Sequence, residues 1–152
     1  MSRNTSKDLR KLFFYQVFIR NHTKSGTFNE FVNDLDRIKN LGVDVVYLLP
    51  IHEIGIKNKK GDLGCPYSIK DYRSINHEYG TLDDFSNLVM ETHKRGMKLM
   101  IDVVFNHTSY DSVLLEEHPE YFYKKDGEFA NRVGDWWDIT DLDYTVSKDL
   151  WV

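Results

Sequence analysis

Leu41-Gly42-Val43-Asp44-Val45-Val46-Tyr47-Leu48-Leu49-Pro50 is the stretch on which the fold turns. Val43 to Leu49 is a largely β-branched and aromatic run of strand length. Pro50 closes it, because proline cannot donate to a ladder. Leu41-Gly42 in front of it is a helix exit, with glycine taking the left-handed position. The strand therefore begins where a helix has just ended. Upstream, Thr27-Phe28-Asn29-Glu30 reads as a capping box. Phe28, Phe31, Leu35 and Ile38 then recur at helical spacing, with Asp34, Arg37 and Lys39 elsewhere around the helix. Leu12 to Ile19, before that helix, has the composition of a buried strand.

The unit repeats downstream. Thr81-Leu82-Asp83-Asp84 opens a second helix with acids in its first turn, where the helix dipole favours them. Leu82, Phe85, Leu88, Val89 and Thr92 carry its inward face, and Lys94-Arg95-Gly96 ends it. Lys98 to Phe105 reads as a third strand, apolar nearly throughout except at Asp102, as expected of a parallel strand covered on both faces. A third helix is expected from Ser147 onward. Two βαβ crossovers give an α/β fold with a parallel sheet and right-handed connections. Residues 51–80 and 106–144 are long, weakly periodic segments of the kind that usually carry function. Both follow the C-terminal ends of strands, the edge where α/β folds place their sites.

The 152 residues carry a net charge of −4, which argues against a nucleic-acid partner, since such proteins usually show a basic face. The single cysteine, Cys65, excludes an intrachain disulfide and a multi-Cys zinc site. Met1 to Arg20 lacks the apolar core of a secretory signal. The longest apolar run, Val45 to Ile51, is far short of a membrane helix. These features predict a cytoplasmic protein with no membrane partner.

Three clusters carry chemistry. Asp102-Val103-Val104-Phe105-Asn106-His107 puts a carboxylate, an amide and an imidazole at a strand end. Such a set can bind a cation, orient a sugar hydroxyl or position another carboxylate; equally, Asp102 can serve as a structural bond to the strand-end loop. Tyr67 and Tyr72 can stack on a ligand or anchor their loop through ring and hydroxyl. Asp135-Trp136-Trp137-Asp138 suits either a sugar cleft or a loop packed on the domain. His52-Glu53 and His77-Glu78 lack the second histidine of a zinc-protease helix. Lys57, Lys59 and Lys60 read as a solvated loop tip.

These residues together resemble glycoside hydrolase family 13, the α-amylase family, from Phe13 onward. Tyr15-Gln16-Val17-Phe18 is similar to the family's first strand and the Leu41–Ile51 segment to its second. Tyr67-Ser68-Ile69-Lys70-Asp71-Tyr72, followed by Asn76 and Glu78-Tyr79-Gly80-Thr81, is similar to the segment that brings a tyrosine to the cleft. Asp102 to His107 is similar to its first signature region. The resemblance implies residues 1–152 to be the first three β/α units of a (β/α)8 TIM barrel. It implies retaining action on α-glucosidic bonds of starch or maltooligosaccharides. Tyr67 would stack on the sugar, His107 would hydrogen-bond it, and Asp102 would support the centre. Asn106 matches a calcium ligand of many members, so calcium is the implied cofactor. Gly64-Cys65-Pro66 replaces the simpler Gly-Tyr of many members, which points to a particular branch.

In that family the nucleophile follows the fourth strand and the acid the fifth, so both would lie beyond Val152. No catalytic carboxylate is assigned to the chain, and it is expected to be inactive alone. An α-glucan or maltooligosaccharide, and a complementary C-terminal fragment, are the expected partners. A non-catalytic carbohydrate-binding remnant and an unrelated small α/β domain are the alternatives.

Overall fold

The computed structural model describes residues 6–146; the third helix expected from Ser147 lies outside them. In chain order the regular elements are β1 (Phe14–Val17), α1 (Ile19–His22), α2 (Phe28–Val32), α3 (Leu35–Asn40), β2 (Val45–Leu48), β3 (Glu53–Ile54), β4 (Ile69–Asp71), α4 (Leu82–Lys94), β5 (Lys98–Ile101), β6 (His107–Ser109), α5 (Val113–Glu117), β7 (Lys124–Lys125), β8 (Glu128–Phe129) and β9 (Ile139–Asp141). They fall into two units. The first joins the residues up to Ile51 with His77–Asp102; the second joins His52–Asn76 with the residues from Val103 on.

The first unit is the βαβαβ arrangement that the sequence predicts. Its sheet has the order β1-β2-β5 and is parallel throughout. Asp44 sets the register ahead of β2. Its carboxylate accepts the Phe13 amide at 2.8 Å, and its carbonyl accepts the Lys98 amide at 2.8 Å. Parallel pairing brings Val17, Leu48 and Ile101 level, so Pro50 and Asp102 follow at one common edge.

The helical side differs in one respect. The expected helix over 28–40 is two short ones, α2 and α3. At Asn33 and Asp34 the amides bond three residues back, to Glu30 and Phe31, which tightens the backbone there. The Asp34 carboxylate is held by His22 at 2.7 Å and by Arg37 at 2.6 Å. The apolar face survives the break: Phe28, Phe31, Leu35 and Ile38 are all buried, together with Val46, Leu48 and Leu88. The Thr27 hydroxyl accepts the Glu30 amide as a cap should, but the Glu30 carboxylate turns to the amide of Ser25. Thr81 and Asp84 form the complete reciprocal box ahead of α4.

The third strand corrects the sequence reading. It stops at Ile101 rather than Phe105, and it is not covered on both faces. Alternation places Phe14, Gln16, Val45, Tyr47, Lys98 and Met100 on one face of the sheet. Phe14, Gln16, Lys98 and Met100 are exposed, Tyr47 is half-buried, and only Val45 is buried. Among the described residues no further strand pairs with the outer sides of β1 or β5.

The second unit is made of short antiparallel pairs, β3 with β4, β6 with β9 and β7 with β8. Leu115, Phe122 and Leu142 form a small apolar cluster, with Leu114, Tyr121, Phe129 and Tyr144 against it. Tyr72 is an anchor here. Its hydroxyl lies 2.7 Å from the Val104 carbonyl and 3.1 Å from that of His107. Burial pushes that hydroxyl's pKa up, with Tyr144 adding to the effect.

Candidate functional site

Within the second unit the antiparallel β6–β9 pair sets His107 opposite Asp141 and Ser109 opposite Ile139. The loop before β4 is drawn onto the same pair. The Ser68 hydroxyl donates to the Asp138 carbonyl at 2.8 Å, and the Ser68 amide to the Cys65 carbonyl at 2.9 Å. Gly64 makes that approach with φ of 72°, a conformation that side chains beyond glycine resist. The result is a pocket of about 320 Å³ lined by Lys60, Cys65, Tyr67, His107, Trp136, Asp138 and Ile139.

Tyr67 and His107 meet directly in it, because the His107 ring donates to the Tyr67 backbone carbonyl. The Asn106 amide meets the Nδ1 of the same ring. Burial lowers the His107 pKa, against the opposing pull of Asp141, the Tyr67 carbonyl and Asp138, so the ring is neutral near pH 7. The Trp136 ring lies edge-on to His107 at 5.7 Å. Trp137 stands outside with its face under Lys60, whose ammonium is 4.9 Å from the ring centre.

Lys60 is the largest departure from the sequence reading. It is not a solvated tip: its Nζ lies 2.8 Å from Asp138 Oδ1. Asp138 is only 2% exposed, so its charge requires such a partner. Nothing in the periodicity marks Lys60, since a loop reached through left-handed Asn58 and Gly61 has no period to read. Asp138 was visible in the Trp-rich run, but its partner was not.

Asp102 belongs to the first unit, just after β5. There its carboxylate accepts the Tyr47 hydroxyl, whose pKa burial and Asp102 both raise. Asn106 is exposed, and its amide is taken up by His107. Among the described residues no three His, Cys, Asp or Glu side chains are arranged to hold a metal ion. Among the described residues lining the pocket, Asp138 is the only carboxylate.

Two flat rings, a neutral imidazole and a balanced ion pair make a surface for a ligand with apolar faces and many hydroxyls. Residues 13–146 match the family described as "Alpha amylase, catalytic domain". The chain belongs to the α-amylase family. An α-amylase of known crystal structure from Lactobacillus plantarum is 56% identical to it, with a TM-score of 0.91 over 94% of this chain and 34% of that one. An oligo-1,6-glucosidase of Parageobacillus thermoglucosidasius is 41% identical over 110 residues, 69% of this chain and 17% of its own length. A trehalose-6-phosphate hydrolase of Bacillus subtilis is 40% identical over 105 residues, 66% of this chain and 18% of its own length. The chain thus spans about a sixth of these curated α-amylase relatives and about a third of the solved one. Its described residues hold a mixed α/β fold with three parallel strands and no closed barrel. No helix among them is long and apolar enough to cross a membrane.

Proposed function

We propose that the pocket of the second unit binds a neutral, α-linked glucose unit of a starch-type or maltooligosaccharide chain. The observation that carries this reading is the direct bond between His107 and Tyr67 on the wall of one pocket, with Trp136 against the same imidazole. Tyr67 offers a ring for the sugar's apolar face, and His107 offers a polar edge for its hydroxyls. Lys60 and Asp138 cancel one another, which favours a neutral sugar over a phosphorylated one.

The same proposal takes the three parallel strands as the first three β/α units of a (β/α)8 barrel, with residues 1–152 as an N-terminal part of a retaining α-glucoside-acting domain. Retaining hydrolysis needs two carboxyl groups about 5 Å apart, one nucleophile and one acid/base. A pocket whose single lining carboxylate is tied to a lysine offers neither. The chain alone therefore binds without cleaving. A complementary C-terminal fragment is the protein partner the reading calls for, and the exposed sheet face at Phe14 and Met100 is the surface it would cover. Asp102 keeps the supporting role the resemblance gives it. No step runs through calcium. A cytoplasmic location stays part of the proposal.

The test is turnover of an aryl maltoside by the purified 152-residue protein, with and without a fragment supplying the remaining strands. The reading expects no release from the chain alone and release from the mixture. Robust turnover by the chain alone would overturn it.

A further inference from the structure

Lys60 has three N–H donors and three neighbours. One neighbour is the Asp138 carboxylate at 2.8 Å, one is the Trp137 ring at 4.9 Å, and the third is the pocket itself, which Lys60 helps to line. A lysine on a mobile stem would be a poor recognition group, because it must be ordered before it can donate. Here the ammonium is already engaged and the loop backbone is tied down. The loop that carries it closes with the Gly64 amide on the Lys60 carbonyl at 3.1 Å, and the Ile56 amide bonds Asp111 Oδ2 at 3.0 Å. The ammonium is held on one side by a buried carboxylate and on another by an aromatic face. That geometry pre-orients its remaining donor toward whatever occupies the space beside Tyr67 and His107.

We infer that Lys60 is a specificity-determining residue that donates directly to a hydroxyl of the bound sugar, with Asp138 and Trp137 as its positioning residues. This rests on the pocket binding a neutral glucoside, and it adds the group that selects for a free hydroxyl at the pocket's Lys60 side. The carboxylate of Asp138 both orients the ammonium and cancels its charge. Lys60 therefore discriminates by hydrogen bond and not by net charge, and a deoxy sugar is rejected where a phosphorylated one gains nothing.

Three measurements on the full chain test it, with maltotriose as the probe. Lys60→Met should weaken maltotriose binding, followed by tryptophan fluorescence, at least tenfold. Lys60→Met with Asp138→Asn should stay equally weak, because the missing donor and not an orphaned carboxylate is the cause. On the unaltered protein, maltotriose should protect Lys60 from acetylation while Lys57 and Lys59 react as before, which decides the matter even where the variants fail to fold. Wild-type affinity in Lys60→Met, recovery of affinity in the double variant, or absence of selective protection overturns the assignment while leaving the sugar reading intact. No binding of maltotriose by the unaltered protein overturns both.

Discussion

Gly55→Ala should destabilise the pocket unit by about 1–3 kcal/mol, the usual cost of overpacking a site that cannot relax. Gly55 lies just beyond β3 and donates its amide to the Ser68 carbonyl at 2.9 Å. A methyl group there would overlap the Ser109 Cβ and Oγ and come within 2.5 Å of Asp111 Oδ1. Those contacts are about an ångström short of ordinary van der Waals separation. Ser109 has no room to retreat: it is fully buried in β6, two residues from His107 and paired with Ile139. Asp111 is likewise fixed by the Ile56 amide. At a urea slope of roughly 2 kcal/mol/M, 2 kcal/mol moves the unfolding midpoint down by about 1 M. Urea titration read by tryptophan fluorescence reports this unit, since Trp136 and Trp137 both lie in it. Adding Ser109→Gly removes both overlapping side-chain atoms and sacrifices no hydrogen bond of the hydroxyl, which has no partner among the described residues. The double variant should recover most of the loss, giving a coupling above about 1 kcal/mol. An unchanged midpoint in Gly55→Ala, or losses that simply add, would refute the packing argument.

Acid should loosen the second unit first. Burial lowers the pKa of His52 and His107 below the ordinary value near 6.5, so below pH 6.5 the unfolded chain binds more protons than the folded one and stability falls as pH falls. A thermal midpoint that stays flat between pH 8 and 5 would contradict this. In the first unit Asp34, held near a pKa of about 2 mainly by Arg37, adds a further loss as pH drops through its ordinary 3.8 toward 2. Thr81→Ala breaks the capping box of α4 and should cost about 1 kcal/mol, seen as faster amide exchange in the helix's first turn. Replacing Phe14 and Met100 with Gln and Lys on the open sheet face should reduce self-association in size-exclusion chromatography, and an unchanged profile would show that this face is not the sticky one.

The sheet was legible because its signals are local. A glycine exit, a β-branched run and a proline stop mark β2 without reference to anything distant. The capping residues Thr27 and Thr81 place the helix starts, and Phe28, Phe31, Leu35 and Ile38 are buried at the predicted spacing. What failed depended on neighbours. The break between α2 and α3 falls where His22, twelve residues back, holds Asp34, a contact with no periodic trace, and Arg37 adds a local bond three residues on. The third strand looked fully covered because Val103, Val104 and Phe105 are apolar, yet the ladder ends at Ile101 and Phe105 is 69% exposed. At the site, Tyr67 and His107 were found through the resemblance and do share a pocket. Lys60 was missed because an ion pair 78 residues apart in sequence leaves no mark on either segment. Asp102 lies in the first unit just after β5, where its carboxylate accepts the Tyr47 hydroxyl, a partner that nothing in the sequence marks.

The central claim is that the Tyr67–His107 pocket holds a sugar, and the most direct measurement is a maltotriose titration followed by histidine-selective NMR. The account predicts a saturable shift of the His107 ring signals, none at His22 or His118, and loss of the shift in Tyr67→Ala. A His107 signal that ignores maltotriose, or one that still shifts when Tyr67 is gone, would contradict it.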